Sequence, residues 1–553
     1  MTHVRERAAL APTVGATRFP ARAYWTRVRV EFGRYELAFA GLIGIALAAR
    51  VVELTAKPFH HDESEHAWFA WLFVSGRGYH YDPVFHGPVQ FYVMSLLYLL
   101  IGAGDLAARL APTLVGTVLV GLPYLLRRQI GSVAALAAGV LFCISPSYLY
   151  FSRFVREDIY AACVTLALIV AIFRFLARPR PWHPSLILGL LAICFAAKET
   201  AYITVAVFGS FFAVALVWQA RQAGSVRRAA LAITARSVGR DAWIWGAATF
   251  VTVYTLLFTT FLTNPHGLQD GLIESIRYWL SQQPVNRGGQ PPFYYLVVLP
   301  AYEWPVLLLA AVGVVGVVRR ATLLGLFLVW DFVVSLAVYS AAGERMPWLI
   351  LHPLLPLVLL AGVGMQALWT NRRRLPARVG LALAAAGAAW SIWTAGALSY
   401  GHPADPREML VFTQTSVDVP RVRDRIFGLD RYLVSHRSRH LRLDVDGWSG
   451  SGWPWGWYLR ELPVAYPDMS ETGFRPTGDA LIVTDVDRPH LLPFLRGYRG
   501  RRFHLRVWWV VDYSGGSLRE WARWFVHRRQ WGPLGSTDQW LYVRKAFSPS
   551  PGR

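Results

Sequence analysis

Cysteine is nearly absent from this 553-residue chain, at Cys143, Cys163 and Cys194 only. All three fall inside apolar runs, so no disulfide framework is implied and no zinc-type spacing exists. Charge is also scarce. Charged residues make up 16% of the chain against 54% hydrophobic ones, and the mean hydropathy is +0.33. That balance excludes an ordinary soluble enzyme and fits a polytopic membrane protein. There is no solenoid repeat, no long low-complexity tract, no H-E-x-x-H ligand spacing and no evident pair of duplicated halves of the kind many transporters carry.

Acidic residues are outnumbered by basic ones, giving a formal net charge of +22. Much of the arginine lies in short loops between apolar runs, where it sets orientation and meets anionic lipid, so no nucleic-acid partner is implied. Runs of about 20 apolar residues occur near 35–52, 105–126, 131–150, 158–176, 184–201, 203–219, 241–262, 293–318, 321–340, 347–368 and 378–397, eleven expected transmembrane helices. Val89–Gly102 is apolar but short. Laying it along the interface puts the basic loops on one side, at 1–34, Arg127/Arg128, Arg174–Arg180, Arg221–Arg240, Arg319/Arg320 and Arg372–Arg378. The loops 53–104, 151–157, 198–202, 263–292 and 341–346 then share the other side. This reading makes 1–34 a basic cytoplasmic N-terminus and 35–52 an uncleaved signal anchor. The odd span count puts 400–553 outside as a soluble α/β domain, with strands expected at Ala480–Thr484 and Arg506–Val511 and a helix at Ser517–Arg528.

The stretch His60–Pro88, between two apolar regions, holds Asp62, Glu63, Glu65, Asp82 and the histidines 60, 61, 66, 80 and 86. Such a polar cluster beside membrane spans marks a functional-site candidate. On the same side lie Arg153, Arg156, Glu157 and Asp158, then Lys198-Glu199 and Gly343-Glu344-Arg345. Convergent carboxylates and cations suit general-base chemistry on an acceptor and a clamp on a phosphate leaving group, and arginine donates to phosphate through a planar fork. The plainer readings stand beside these: a solvated loop pair at Asp62-Glu63, headgroup anchors at Arg153 and Arg156, and a structural ion pair at Lys198-Glu199. The tryptophans 448, 453, 455, 457, 508 and 509 are expected to serve core and interface packing, with sugar stacking as the alternative.

Asp62-Glu63 after the first span, His86-Gly87-Pro88, the G-x-x-A-A-R-L-A-P run at 104–112, Arg153–Asp158, Lys198, Pro291–Tyr295 and Gly343–Trp348 occur in an order that resembles the polyprenyl-phosphate-dependent glycosyltransferases of the GT-C superfamily. The resemblance covers about residues 35–370. It is nearest the branch of aminoarabinose lipid A transferase and protein O-mannosyltransferases, including a prokaryotic flippase-associated subgroup. It implies a GT-C-type helical membrane domain at 35–399 with surface helices in the loop 53–104, in a prokaryotic cytoplasmic membrane. It also implies inverting transfer of a hexosyl or pentosyl group from a polyprenyl-phosphate donor to a glycan, lipid or protein at the extracytoplasmic face. Asp62, with Glu63, would be catalytic; Arg153, Arg156, Asp158, Lys198, Glu199 and Arg345 would bind donor and lipid phosphate. His86 stands where the aminoarabinose branch has the glutamate of Glu-Lys-Pro, and would be the ligand of a divalent metal, magnesium or manganese. Gln282 and Gln283 stand where relatives carry a histidine. The rival function is a lipid-linked sugar flippase or polysaccharide-export component.

Overall fold

The computed structural model describes residues 33–223, 238–285, 287–447, 450–471 and 473–547. The expected basic segment 1–34, apart from its last two residues, lies outside them, as do most of the 221–240 loop and Trp448. Helices occupy all eleven expected span positions. Among the described residues eight are long and apolar enough to cross a membrane: Asp105–Ile130, Asp158–Ala177, Ala201–Gln222, Arg240–Phe258, Tyr294–Arg320, Leu323–Ala341, Pro347–Thr370 and Leu375–Gly401. The other three fall short for local reasons. Arg34–Val51 carries Arg34, Glu36 and Arg50. His183–Ala197 has 15 residues. Ser132–Ile144 ends at Ser145, because Pro146 biases the residue before it to an extended conformation and opens a separate short helix, Pro146–Phe151.

Helices Tyr294–Arg320 and Leu351–Thr370 cross backbone to backbone. A Cβ on Gly313 would meet the Leu360 carbonyl, and one on Gly364 the Leu309 carbonyl, each at 2.0 Å, the small-residue contact that lets membrane helices pack closely. Val89–Ile101, expected at the interface, is a 13-residue helix packed against His61–Val74 and Asp105–Gly121. The polar loops predicted to share a side meet at one end of this bundle.

Above that end lies a six-stranded sheet in the order β1-β5-β6-β4-β2-β3. The strands are β1 (Gln414–Thr415), β2 (Leu443–Val445), β3 (Val464–Ala465), β4 (Ala480–Thr484), β5 (Tyr498–Trp509) and β6 (Leu534–Arg544). β5 and β6 form the long antiparallel pair, while β2 runs parallel to both β3 and β4. Helix Leu518–His527 begins with the Ser517/Glu520 capping box. β5 is longer than the expected 506–511 because Tyr498–Arg502 is mostly arginine and glycine, without the apolar alternation that signals a strand from sequence. Trp455 and Trp457 are wholly buried. The Trp457 indole donates to Asp105 at 2.8 Å, and the Phe59 N–H to the Tyr458 hydroxyl at 2.7 Å, so this region is fastened to the helical bundle.

One buried ion pair fixes how the loops meet. Arg109 and Glu63 are both fully buried. The Arg109 Nε–H donates to Glu63 at 2.9 Å and Nη2 donates to its second oxygen at 2.8 Å. The remaining guanidinium hydrogens reach the carbonyls of Leu54, Lys57 and Pro58. Glu63 also accepts the N–H groups of His60 and Val155, at 2.9 and 3.1 Å. Every donor and acceptor site of the pair is thus used, as a buried charge requires. Replacing either partner alone, by Arg109→Met or Glu63→Leu, is expected to cost about 3–5 kcal/mol, and the double replacement to recover only part of that, because the carbonyls of Leu54, Lys57 and Pro58 and the N–H groups of His60 and Val155 still lose their partners. Thermal unfolding in detergent measures both; single variants that melt like wild type would remove the pair from this role.

Candidate active site

Glu63 and Val155 are tied to one another, and their chain neighbours Asp62 and Arg156 face each other. Arg156 Nη1 donates to Asp62 in a very short contact, and the Asp62 carboxylate also lies 2.7 Å from His61 Nε2. The Arg156 guanidinium stacks over Trp348 at 4.0 Å. It reaches His86 Nε2 at 3.4 Å and Asp158 at 3.6 Å, and its Nε has no hydrogen-bond partner among the described residues.

Lys198 comes from the end of helix His183–Ala197 and donates to both oxygens of Asp158, at 2.8 and 2.9 Å. Its neighbour Glu199 lies 2.8 Å from His86 Nδ1. That contact depends on Gly87. A Cβ there would sit 2.1 Å from the Ala196 carbonyl, so only glycine lets the His86 loop lie against the helix end that presents Lys198 and Glu199. Trp279, on helix Ser275–Gln282, stacks parallel on His86 at 4.7 Å. The outcome is one chain of charges: His61, Asp62, Arg156, His86 and Glu199, with Asp158 and Lys198 branching from Arg156.

This chain borders a cavity of ≈330 Å³. Its lining combines the polar His86, Lys198, Glu199, Gln283 and Glu344 with the apolar Ile203, Ile276, Leu280 and Leu349. Gln283 additionally ties the loops together by accepting the Gly343 N–H at 2.8 Å.

The other expected residues are placed elsewhere. Arg153 donates to the carbonyls of Ala49, Arg50, Val52 and Glu53, closing the C-terminus of the first helix. Arg345 donates to the Gln290 carbonyl at 2.6 Å and to that of Ala342. Glu63 lies wholly inside the pair with Arg109. Glu157 is buried against His66 at 3.1 Å and Gln90 at 3.0 Å. Gln282 bonds Ser281 on the exposed side of its helix.

Burial sets the charge states of the loop groups, and their neighbours correct it. It raises the Glu63 and Glu157 carboxyls, yet Arg109 and Lys57 hold the first below its usual range, and His66, His86 and Arg156 hold the second there. Burial pushes Lys57 down to about 7. It also pushes His60 and His61 well down, with nearby cations adding to the effect. His86 moves the other way: burial and Lys198 lower it, but the Glu199 carboxylate outweighs them and raises it.

As a metal ligand His86 is poorly provided, since a carboxylate and a guanidinium already face its two nitrogens. Three donors gather instead at His60, His61 and Asp62, with ligand atoms within 4.8 Å of one another. The buried His61 Nδ1 there lacks any hydrogen-bond partner among the described residues. His61 and Asp62 can present ligand atoms there, but both nitrogens of His60 are engaged, Nδ1 by the Asp62 N–H and Nε2 by the Phe412 carbonyl, so a divalent cation at this set would have to displace one of those contacts.

Sequence reasoning gave no role to Arg109 and Trp348, although both lie in motifs of the resemblance, and missed Trp279 and His352, whose Nε2 lies 3.6 Å from Asp158. Arg109 had a readable signal, an arginine inside an apolar helix. Trp279 had none, because its role arises only from the fold.

The sequence profile of the dolichyl-phosphate-mannose-protein mannosyltransferases matches residues 85–238. A search of the curated proteins finds no significant match. Among solved structures, ArnT from Cupriavidus metallidurans bound to undecaprenyl phosphate superimposes with a TM-score of 0.60 at 14% identity, over 92% of this chain and 99% of that one. The oligosaccharyltransferase of Archaeoglobus fulgidus tethered with an acceptor peptide gives 0.52 at 12% identity, over 82% and 69%. The same enzyme in complex with Zn and sulfate gives 0.50 at 12%, over 78% and 62%. The chain is therefore similar in sequence to the dolichyl-phosphate-mannose-protein mannosyltransferases over residues 85–238, and it shares the fold of ArnT and of the archaeal oligosaccharyltransferase.

Proposed function

We propose that the chain is a membrane glycosyltransferase that moves a sugar from a polyprenyl-phosphate donor to an acceptor hydroxyl or amine at the extracytoplasmic face. The observation that carries this reading is the cavity lined by Lys198 and by His86, itself paired with Glu199, together with Ile203, Ile276, Leu280 and Leu349, a cation and an apolar wall in one site, which suits an anionic headgroup on a hydrocarbon chain. The fold shared with an undecaprenyl-phosphate-bound ArnT supports it.

The lipid phosphate rests against Lys198 and the spare Nε–H of Arg156, two cations whose present partners are side chains a phosphate can displace. Its prenyl chain follows Ile203, Ile276 and Leu280. For a hydroxyl acceptor, the oxygen attacks the anomeric carbon as the bond from that carbon to the phosphate oxygen breaks. The hydroxyl proton passes to Asp62, and the carrier leaves as a phosphate monoester. One displacement inverts the anomeric centre. Positioning and stabilisation of the departing phosphate carry most of the rate, with general-base help of about 10²–10⁴-fold. Arg153 and Arg345 keep the frame in which these groups sit.

Asp62→Asn is expected to lower transfer by about 10²–10⁴-fold while the protein still binds polyprenyl phosphate. Assays in liposomes with labelled donor check this, and near-normal turnover would remove Asp62 from the reaction. Lys198→Gln is expected to raise the donor KM roughly 10- to 100-fold, the loss of one charge-assisted contact; an unchanged donor KM would place the phosphate elsewhere. His86 has a raised proton affinity in the folded state, so its attraction to Glu199 is complete below the ordinary histidine value. That stabilisation is lost as pH rises through the raised value. Wild type should lose melting temperature as pH rises above the ordinary histidine range, and His86→Gln should flatten that slope.

A further inference from the structure

Beyond the chain of charges, helix His61–Val74, which carries Asp62, presents a second set of polar groups that the donor reading leaves unused. Glu65 and Trp68 follow Asp62 along it, at helical spacing. Both side chains are half-buried, and Trp68 packs on Trp71 at 4.9 Å. From the turn between β2 and β3, Trp453 meets Trp68 edge to face at 6.3 Å, close to the Glu65 carboxyl. Arg506 of β5 attracts Glu65, and its Nη2 donates to the carbonyls of Gly450 and Trp453, at 3.1 and 3.3 Å. Its buried Nε has no hydrogen-bond partner among the described residues. The β5–β6 register shifts between His504 and Arg506, and such a bulge re-aims the side chain beside it.

We propose that Glu65, Trp68, Trp453 and Arg506 form the acceptor subsite, and that the acceptor they take is a sugar ring of a glycan. This rests on the glycosyltransferase reading and adds the acceptor's chemical class. Indole faces pack against the C–H face of a pyranose, while the carboxylate and guanidinium hydrogen-bond its hydroxyl edge. A hydroxyl held there lies beside the residue proposed to take its proton. A peptide fits less well. Both edges of β5 at this level are already used, since Arg506 pairs with Thr415 of β1 and Thr537 of β6, which leaves no free backbone ladder for an extended chain. The subsite joins helix His61–Val74 to the C-terminal sheet, so it exists only while the two are docked, which gives that sheet a direct part in substrate choice.

The test uses full-length protein in liposomes with a labelled polyprenyl-phosphate sugar. Mannotriose and cellotriose serve as glycan probes, and a threonine-containing hexapeptide serves as the peptide probe. Trp453→Ala and Arg506→Gln are each expected to raise the glycan KM about tenfold, the loss of one stacked or charge-assisted contact, with the donor KM changed less than about twofold. Trp453→Phe should recover most of the loss. Glycan binding is also read directly, by calorimetry on donor-free protein. Unchanged glycan affinity in both variants overturns the subsite, as does a wild type that binds and glycosylates the hexapeptide but neither trisaccharide. A wild type that binds the trisaccharides through Trp453 yet turns over no donor leaves the sugar site standing and overturns the transferase reading instead.

Discussion

A guanidinium buried at the rim of a membrane bundle has to place all five of its hydrogens, and that requirement organises the functional end of this protein. Arg109 meets it with two carboxylate oxygens and three backbone carbonyls from the segment after the first helix. Glu63, in turn, spends its remaining lone pairs on the backbone of His60 and Val155. Three segments far apart in sequence are thereby held in one register. The consequence for chemistry is indirect but strict: the residues next to Glu63 and Val155 are Asp62 and Arg156, and they can only face each other.

The same logic separates the two kinds of charge found here. Arg109 and Arg153 are satisfied largely by backbone carbonyls, and Arg345 too donates to carbonyls. To swap those bonds for a ligand would unmake the local fold. Asp62, Arg156, Asp158, Lys198, His86 and Glu199 are satisfied mainly by one another. A phosphate or hydroxyl entering that set exchanges one side-chain partner for another and leaves the backbone intact, which is what a binding site must do at low cost.

Much of this was legible in the sequence. Long apolar runs marked the helices, the distribution of arginine grouped the polar loops, and cost alone singled out charges beside spans, which gave Asp62, Arg156, Asp158, Lys198 and Glu199. Roles were harder. Arg153 and Arg156 are three residues apart in one loop and chemically identical, yet one caps a helix and the other enters the charge chain; only the fold's register distinguishes them. Glu63 and Asp62 are adjacent for the same reason, one turned inward to Arg109 and the other toward Arg156. Trp279 reaches His86 from about 190 residues away in sequence, a separation that no local pattern records.

The C-terminal sheet extends the argument. Its attachment is chemical as well as geometric: Trp457 bonds Asp105, Tyr513 bonds Gln290 at 2.6 Å, and the Phe412 carbonyl lies 3.0 Å from His60 Nε2. The last contact matters most. It leaves Nδ1 of His60 to accept the Asp62 N–H at 3.2 Å, so the tautomer of this buried histidine, and with it the start of helix His61–Val74, is set by the segment that leads into the sheet. The helix bearing Asp62 is thus held from below by Arg109 and from above by the sheet, and its geometry is a property of both parts of the chain together.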